Sequence, residues 1–389
     1  MPQSDQTASA PGGKKQHSTR RRVLLAVGLV LLTLLLLVGG YVLYVVLQYS
    51  RIPDHTPLPI DSPQSAVLRQ GDAYSAVTYN IGFGAYDQTY SFFMDTGHMA
   101  DGTYVAGTHG TAESLDAVHT NTNGSANALK KLDADFCLIQ EADKDATRSY
   151  HVNQVQALSA ALTGRSGVYA SNFHSAFLAY PLNDMHGKTE AGLLTLSRYR
   201  VDEAVRRSYP VDGAFPTRFF DLDRCFSVLR LPVQDASGKA TAKQLVLINS
   251  HMSAYDKGGT IRVQQLALLD SVLAEEAAKG NYVIVGGDFN HALYGTENSF
   301  PSQQQFPEWV FTLTSADFAD GFSIVEAANG HTVPTCRACD IPYTKGVNYT
   351  SVLDGFVVSD NITATAENID LDFLYSDHNP VKISFTLNA

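Results

Sequence analysis

Cysteine is scarce. Cys137, Cys225, Cys336 and Cys339 are the only four in 389 residues, too few for a disulfide framework. Zinc is not the organising element either, because the one Cys-x-x-Cys pair, Cys336 and Cys339 in TCRACD, lacks a second ligand pair at matching spacing. The spacing leaves open whether that pair is bridged or free. Charge is also thin, at 17% of residues, and unbalanced, with 28 Lys and Arg against 39 Asp and Glu and a net charge of −11. Five cations precede residue 23 against Asp5 alone, a local +4 that leaves −15 for the remainder. So acidic a body argues against a passive, charge-driven grip on nucleic acid, which needs many Lys or Arg contacts to phosphate. No G-x-G-x-x-G or Walker loop is present, which speaks against a dinucleotide or P-loop site, and no periodic repeat is visible.

Only one long apolar run occurs. Val23 to Leu47 is an uncharged stretch of 25 residues, enough at about 1.5 Å per helical residue to cross a hydrocarbon core of about 30 Å. It continues through Tyr41 and Tyr44 without an A-x-A pattern, as a retained signal anchor does and a cleaved signal peptide does not. It has no polar face, so a buried core helix does not fit. Arg20–Arg22 precede the span. By the positive-inside rule this predicts a cytoplasmic tail over 1–22, a single transmembrane helix over 23–47 and everything beyond on the outside. Residues 48–66 carry Pro53, Pro57, Pro59 and Pro63 with no hydrophobic period, which predicts an extended stalk. The folded body is expected over 67–389.

Within that body, Tyr74–Tyr79, Phe136–Gln140, Leu193–Leu196, Ser227–Leu231, Leu245–Asn249, Tyr282–Val285, Gly355–Val358 and Val381–Phe385 read as short apolar strands. Helices are fewer. The clearest is Thr260–Lys279, with apolar residues at three- and four-residue spacing before Gly280, and others are expected near Ala126–Leu132 and Val152–Leu162. Many strands with few helices suggest stacked sheets covered by helices.

Polar residues recur at the ends of these strands: Asn80, Gln140–Glu141, Asn249–Ser250–His251, Gly287–Asp288–Phe289–Asn290, Asp354 and Ser376–Asp377–His378–Asn379–Pro380. Strand ends on a rigid scaffold can aim side chains into one pocket. Carboxylates, carboxamides and two histidines without cysteine suit Mg²⁺, Mn²⁺ or Ca²⁺ better than zinc. Each piece alone is ordinary turn or strand-end chemistry; their order is the signal.

The series N…QE…NSH…GDFN…D…SDHNP closely resembles the endonuclease/exonuclease/phosphatase superfamily over roughly residues 70–389, with GDFN and SDHNP as its specific part. The resemblance implies an α/β fold, a four-layer α/β sandwich of two stacked mixed sheets flanked by helices, and a metal-dependent phosphodiester hydrolase. It further implies Glu141 as principal metal ligand, with Asn80 a direct or outlying partner and Asp377 near the metal. Asp288 and Asn290 would orient or deprotonate the attacking water, His251 would bind phosphate, and His378 would be the catalytic histidine held by Asp354. Members often carry an aromatic residue after the Asp354 position, where this chain has Gly355. A domain on an anchored stalk works near a bilayer, so the expected substrate is a phospholipid-type phosphodiester, as in the sphingomyelinase branch; the alternatives are a tethered nuclease on extracellular DNA or RNA, or a non-catalytic binding module. The membrane is the one partner expected; no protein partner follows.

The stretch Gly82–Asn123 reads as a long loop. Its Tyr86, Tyr90, Phe92 and Phe93 either wall the site or pack the loop, and its His98, His109 and His119 are either an accessory site or scattered and solvated. Arg337 and Asp340 either meet the substrate phosphate or form a structural salt bridge.

Overall fold

A computed structural model describes residues 15–214, 218, 223–254, 258–307 and 310–389. The chain divides into two compact units, Met1–Tyr49 and Ser50–Ala389. The first contains helix α1, Lys15–Gln48. From Thr19 onward α1 is long and apolar enough to cross a membrane, a test of length and composition that a signal sequence also meets.

The second unit is built on two sheets. One has six strands: β3 (Ala73–Asn80), β4 (Phe136–Ala146), β5 (Ser166–His174), β6 (Thr189–Ser197), β13 (Ile362–Asn368) and β14 (Val381–Leu387), in the spatial order β13-β14-β3-β4-β6-β5. The other has eight: β1 (Thr56–Pro57), β2 (Leu68–Arg69), β7 (Glu203–Ser208), β8 (Cys225–Gln234), β9 (Ala240–His251), β10 (Tyr282–Asp288), β11 (Phe322–Ile324) and β12 (Asp354–Ser359), in the order β1-β7-β8-β9-β10-β12-β11 with β2 beside β8. Parallel pairing joins β3 to β4 and β9 to β10, while β4 with β6 and β10 with β12 are antiparallel.

The side-chain period of two distributes each apolar run between two cores. On β4, Phe136 and Leu138 face the other sheet, where they join Leu229, Leu245, Leu247, Ile284 and Phe356. Cys137 and Ile139 turn outward onto helices α2 (Leu115–Leu132) and α3 (Gln154–Ala161), against Leu129 and Leu158. On β9, Leu245 and Leu247 point inward, while Val246 and Ile248 turn outward onto Leu269 and Leu273 of α4 (Thr260–Ala278). The layers therefore run helices, sheet, sheet, helix, the expected four-layer sandwich.

All eight strands and three helices expected from the sequence are present. Two segments differ from expectation. Residues 51–61 are not a free stalk: Thr56 and Pro57 pair with β7, Asp61 bridges to Gly167, and Leu58 and Ile60 pack against the inter-sheet core. Their alternating apolar residues find partners on the sheet edge, and the prolines are tolerated because edge positions need fewer backbone donors. The stretch Gly82–Asn123 is not wholly loop either, since α2 begins at Leu115, capped by the Ser114 hydroxyl, which accepts from the Ala117 amide.

Candidate active site

Three strands of the eight-stranded sheet bring three acid or imidazole groups side by side. His251, the last residue of β9, lies opposite Asp288, the last of β10, and Asp288 lies opposite Asp354, the first of β12. Residues in register project from the same face about 5 Å apart. The close spacing of these strands depends on glycine: a Cβ at Gly287 would overlap the carbonyl of Ser250. Gly287 stands directly opposite Gly355, and a side chain at 355 would meet Leu293, which accounts for the glycine at this position.

The other sheet supplies Asn80 from the end of β3, with Gln140 in register beside it. The ladder of β4 and β6 slips between Ile139 and Ala142, and Glu141, at φ 53°, is thrown out of the pleat by this bulge. Bulges re-aim side chains in this way beside functional sites. His378 comes from the turn before β14. There the Ser376 hydroxyl donates to the Asn80 carbonyl at 2.8 Å, locking the turn to the end of β3.

These groups converge on Asp288. Nδ2 of Asn80 donates to Oδ2 of Asp288 at 3.1 Å and to Oε1 of Glu141 at 3.3 Å. Nε2 of His251 lies 3.4 Å from the same Asp288 oxygen, and Nε2 of His378 lies 3.7 Å from it. The second nitrogen of His378 is committed: Nδ1 donates to Oδ2 of Asp354 at 2.7 Å. Asp377 lies with its Oδ2 4.0 Å from Nε2 of His378. Asn290 is the exception among the expected residues. Its Nδ2 donates to the Met252 carbonyl at 2.9 Å and its backbone N–H to Oδ1 of Asp288 at 2.8 Å, so its contacts fix Asp288 and the chain rather than reach into the cleft.

Electrostatics divide the two histidines. Burial would by itself depress His378, but Asp354, helped by Asp288 and Asp377, outweighs it and holds the imidazole protonated well above its ordinary range. His251 is pushed the other way, by burial first and then by the Arg224 and His378 charges, and stays neutral. Its Nδ1 is buried without a hydrogen-bond partner among the described residues. Glu141 is raised above the usual carboxylate range by desolvation and then by repulsion from Asp377.

Crowded carboxylates of this kind fit a hard divalent cation, which relieves their mutual repulsion. Among the described residues, Asp288, Asp354 and His378 bring potential ligand atoms within 4.8 Å of one another, whereas the expected ligand set was Glu141, Asn80 and Asp377. Because His378 and Asp354 are already bonded to each other, Glu141 is the carboxylate with most freedom to meet a cation.

The Endonuclease/Exonuclease/phosphatase family model matches residues 77–378, from the strand of Asn80 to His378. The chain belongs to that family. It is accordingly a phosphoesterase of the endonuclease/exonuclease/phosphatase type. Among solved structures, it is similar to the endonuclease/exonuclease/phosphatase from Beutenbergia cavernae DSM 12333, at 13% identity and TM-score 0.53, covering 82% of this chain and 72% of that one. Truncated TDP2 of Caenorhabditis elegans aligns at 14% identity and TM-score 0.48 over 82% and 99% of the two chains. ANGEL2, a 2',3'-cyclic phosphatase, aligns at 14% and 0.48 over 82% and 96%. Likeness at these identities is one of fold. No functionally curated protein matches the sequence.

This family member carries site residues that its motifs do not reveal. The buried Arg224 guanidinium acts on both Glu141 and His251; it is a lone Arg before β8 with no pattern around it. Arg148 is buried in a two-point pairing with Asp143, at 2.8 and 3.1 Å, and lies 3.8 Å over the Phe83 ring. Cys336 places its sulfur 3.6 Å from Nε2 of His378, and burial pushes its thiol up to about 12, so it is no nucleophile. All four cysteines are free.

The long-segment aromatics pack: Tyr86, Tyr90 and Phe92 are buried in one cluster with Phe83 and Val118. His98 and His119 are exposed and His109 stacks on Tyr90, with no common ligand among them. The Arg337 guanidinium makes no ion pair with Asp340 among the described residues, although the Arg337 backbone N–H donates to the Asp377 carbonyl at 3.0 Å. It is buried, and its Nη2 donates to the Asp87 carbonyl at 2.7 Å, while Asp340 accepts from Gln304.

Proposed function

We propose that this phosphoesterase hydrolyses a phosphodiester at a membrane surface, with a phospholipid-type substrate, a divalent cation such as Mg²⁺ held through Glu141, and α1 as its retained anchor. The observation that carries the chemistry is the convergence on Asp288 of Asn80, His251 and the Asp354-bound His378. A bound cation would neutralise charge on the phosphate and on the departing oxygen. Glu141, with Asn80 and Asp377 beside it, is the proposed holder.

The residues supply the rest. Asp288 is approached by Asn80, His251 and His378, and its oxygen is available to take a proton or hydrogen bond from water aimed at phosphorus. Asn290 and Asn80 hold that carboxylate in place. His378, kept as imidazolium by Asp354, presents Nε2–H to the phosphoryl oxygens as negative charge grows on them, and neutral His251 offers a second donor. Addition of water across the P–O bond yields a phosphomonoester and an alcohol.

The lipid substrate is supported by the apolar α1 and by the acidic composition of the body, which is a poor platform for nucleic acid. A cytoplasmic N-terminus and an outside catalytic unit follow from Arg20–Arg22. The deciding experiment is a panel assay of the full chain with Mg²⁺ on sphingomyelin, phosphatidyl lipids, plasmid DNA and RNA. Turnover confined to nucleic acid would replace the lipid reading with the nuclease one. No turnover of any diester at saturating Mg²⁺ would leave a binding module.

A further inference from the structure

Two non-glycine residues close to Asn80 hold a backbone conformation that L-residues seldom adopt: Phe83, just beyond it in the chain, at φ 39°, and Glu141, hydrogen-bonded to it, at φ 53°. Backbone of this kind persists where its surroundings over-determine it. For Glu141 the β ladder does not do so. β4 slips against β6 between Ile139 and Ala142 and again between Asp143 and Asp145, so that only Ala142 and Asp143 are paired between the two slips. The bulge that aims Glu141 is held from the side.

A circuit of hydrogen bonds links the two residues. Oδ1 of Asn80 accepts from the Gly82 amide at 3.0 Å, while Nδ2 of the same carboxamide donates to Oε1 of Glu141 at 3.3 Å. The Phe83 carbonyl accepts from Nε2 of Gln154 at 2.6 Å, and Oε1 of Gln154 accepts from the Asp143 amide at 2.9 Å. Gln154 is fully buried at the start of α3. Since Asp143 follows Glu141 by two positions, the circuit runs from Asn80 through Phe83, Gln154 and Asp143 back to Glu141.

Arg148 braces this circuit from within. Its Nε and Nη2 donate to Oδ2 and Oδ1 of Asp143 at 3.1 and 2.8 Å, and the Ser149 hydroxyl adds a third bond to Oδ2 at 2.7 Å. Its Cζ lies 3.8 Å from the Phe83 ring centroid and 5.6 Å from that of Phe173. One guanidinium therefore grips the carboxylate two positions from Glu141 and covers the ring of the other unusual residue. Only Arg does both at once, because its planar fork matches a carboxylate edge-on while its face lies on an aromatic ring. Stability alone does not call for it, since well-packed apolar residues often replace a buried ion pair at no loss. An apolar pair could not fix the direction in which β4 leaves the bulge. Arg148 is also close enough to act on Glu141 directly: desolvation and then Asp377 raise that carboxyl, and the Arg148 charge opposes them.

We propose that Arg148 is a positioning residue for the cation site: its fork on Asp143 and its face on Phe83 hold the β4 bulge so that the Glu141 carboxylate points at Asn80 and at a divalent cation. The inference rests on the reading of Glu141 as the holder of that cation. It goes beyond that reading by assigning the aim of Glu141 to a residue outside the QE, NSH, GDFN and SDHNP motifs. Arg148 itself touches neither the cation nor the substrate; it acts through the backbone between Glu141 and Asp143.

The test is calorimetric Mg²⁺ binding to the full chain without substrate, for the parent, Arg148→Lys, Glu141→Gln and the two combined, each with its metal-free melting temperature. Arg148→Lys keeps the charge and loses the fork, and should weaken Mg²⁺ roughly 10- to 100-fold. Added to Glu141→Gln it should weaken Mg²⁺ no further, because the side chain it aims is already disabled. Arg148→Gln with Asp143→Asn separates positioning from stability. That pair leaves no unpaired charge in the interior, so its melting temperature should stay near the parent's while Mg²⁺ binding stays weak, and it supplies the reading if Arg148→Lys does not fold. Parent-like Mg²⁺ affinity in Arg148→Lys or in the neutral pair, beside a weakened Glu141→Gln, overturns the positioning role and leaves Glu141 as the holder. Losses that multiply in the combined variant overturn it too, since Arg148 would then act through another group. Parent-like affinity in Glu141→Gln overturns the reading of Glu141 as the holder, and this inference with it.

Discussion

Nε2 of Gln140 donates to Oδ1 of Asn249 at 2.7 Å, bridging the two sheets. Both residues are fully buried, and Asn249 continues the link by donating to the Ile139 and Leu194 carbonyls and the Thr195 hydroxyl. Each sits one or two positions from a site residue, Glu141 and His251. The carboxamides of the two motifs are therefore the strut that holds the reactive side chains at their separation.

Removing one end of that strut should be costly. Asn249→Ala leaves buried donors and acceptors without partners, each worth about 1–3 kcal/mol, so urea unfolding should show a loss of roughly 2–4 kcal/mol. Replacing both partners, Gln140→Leu with Asn249→Leu, should recover part of it, because no orphan then remains. A single variant as stable as the parent would show that the strut carries nothing.

The Asp354–His378 pair should behave as one device. Asp354→Ala and His378→Ala are each expected to lower kcat roughly 10²- to 10⁴-fold, with the double variant little worse than either. Multiplying losses would mean that the two act separately.

Glu141→Gln keeps the shape and removes the charge. Calorimetric Mg²⁺ titration should show affinity reduced by roughly 10- to 100-fold or more, with the melting temperature without metal unchanged or raised, since repulsion from Asp377 is relieved. Unaltered Mg²⁺ binding would move the ligand role to Asp288 and its neighbours.

His186 gives the fold an acid limit. Burial, then the Arg148 charge, lowers this imidazole from 6.5 to about 3. The unfolded chain binds a proton there below about pH 6.5 and the folded chain does not, so stability is complete above that value and falls as pH drops towards 3. The loss by pH 3 is roughly 3–5 kcal/mol at 1.36 kcal/mol per unit. His186→Gln should flatten the stability curve between pH 6 and 4, measured by urea midpoints; the same slope in both proteins would assign the acid sensitivity elsewhere.

The strands that hold the site were readable because central strands, buried on both faces, are continuous apolar runs, as in LVLIN and YVIVG of β9 and β10. The strands Ser166–His174, Glu203–Ser208 and Ile362–Asn368 were not, because they mix small, polar and charged residues along half-exposed ladders. The first half of α2 hid for a different reason. Apart from Val118, its buried face is Asn121, Thr122, Gly124 and Ser125: Asn121 donates to the Gly84 carbonyl, and any side chain at 124 would overlap the Tyr375 ring. Tertiary contacts, not periodicity, select those residues. At the site, motif order located Asn80, Glu141, His251, Asp288, Asp354 and His378 in one cleft, while Arg224 owes its place to three-dimensional proximity alone.

Asn80 and Glu141 ride on one sheet, and His251, Asp288 and Asp354 on the other, so the gap between reacting groups is gauged across a slab of hydrocarbon. Leu138 and Phe356 are spacers in that slab, as much as the carboxamide strut is. Adding or deleting a methylene there shifts one jaw against the other before it unfolds anything. Substitutions that abolish turnover should consequently be found along the seam between the sheets as well as in the cleft, and a screen for activity alone will return both kinds.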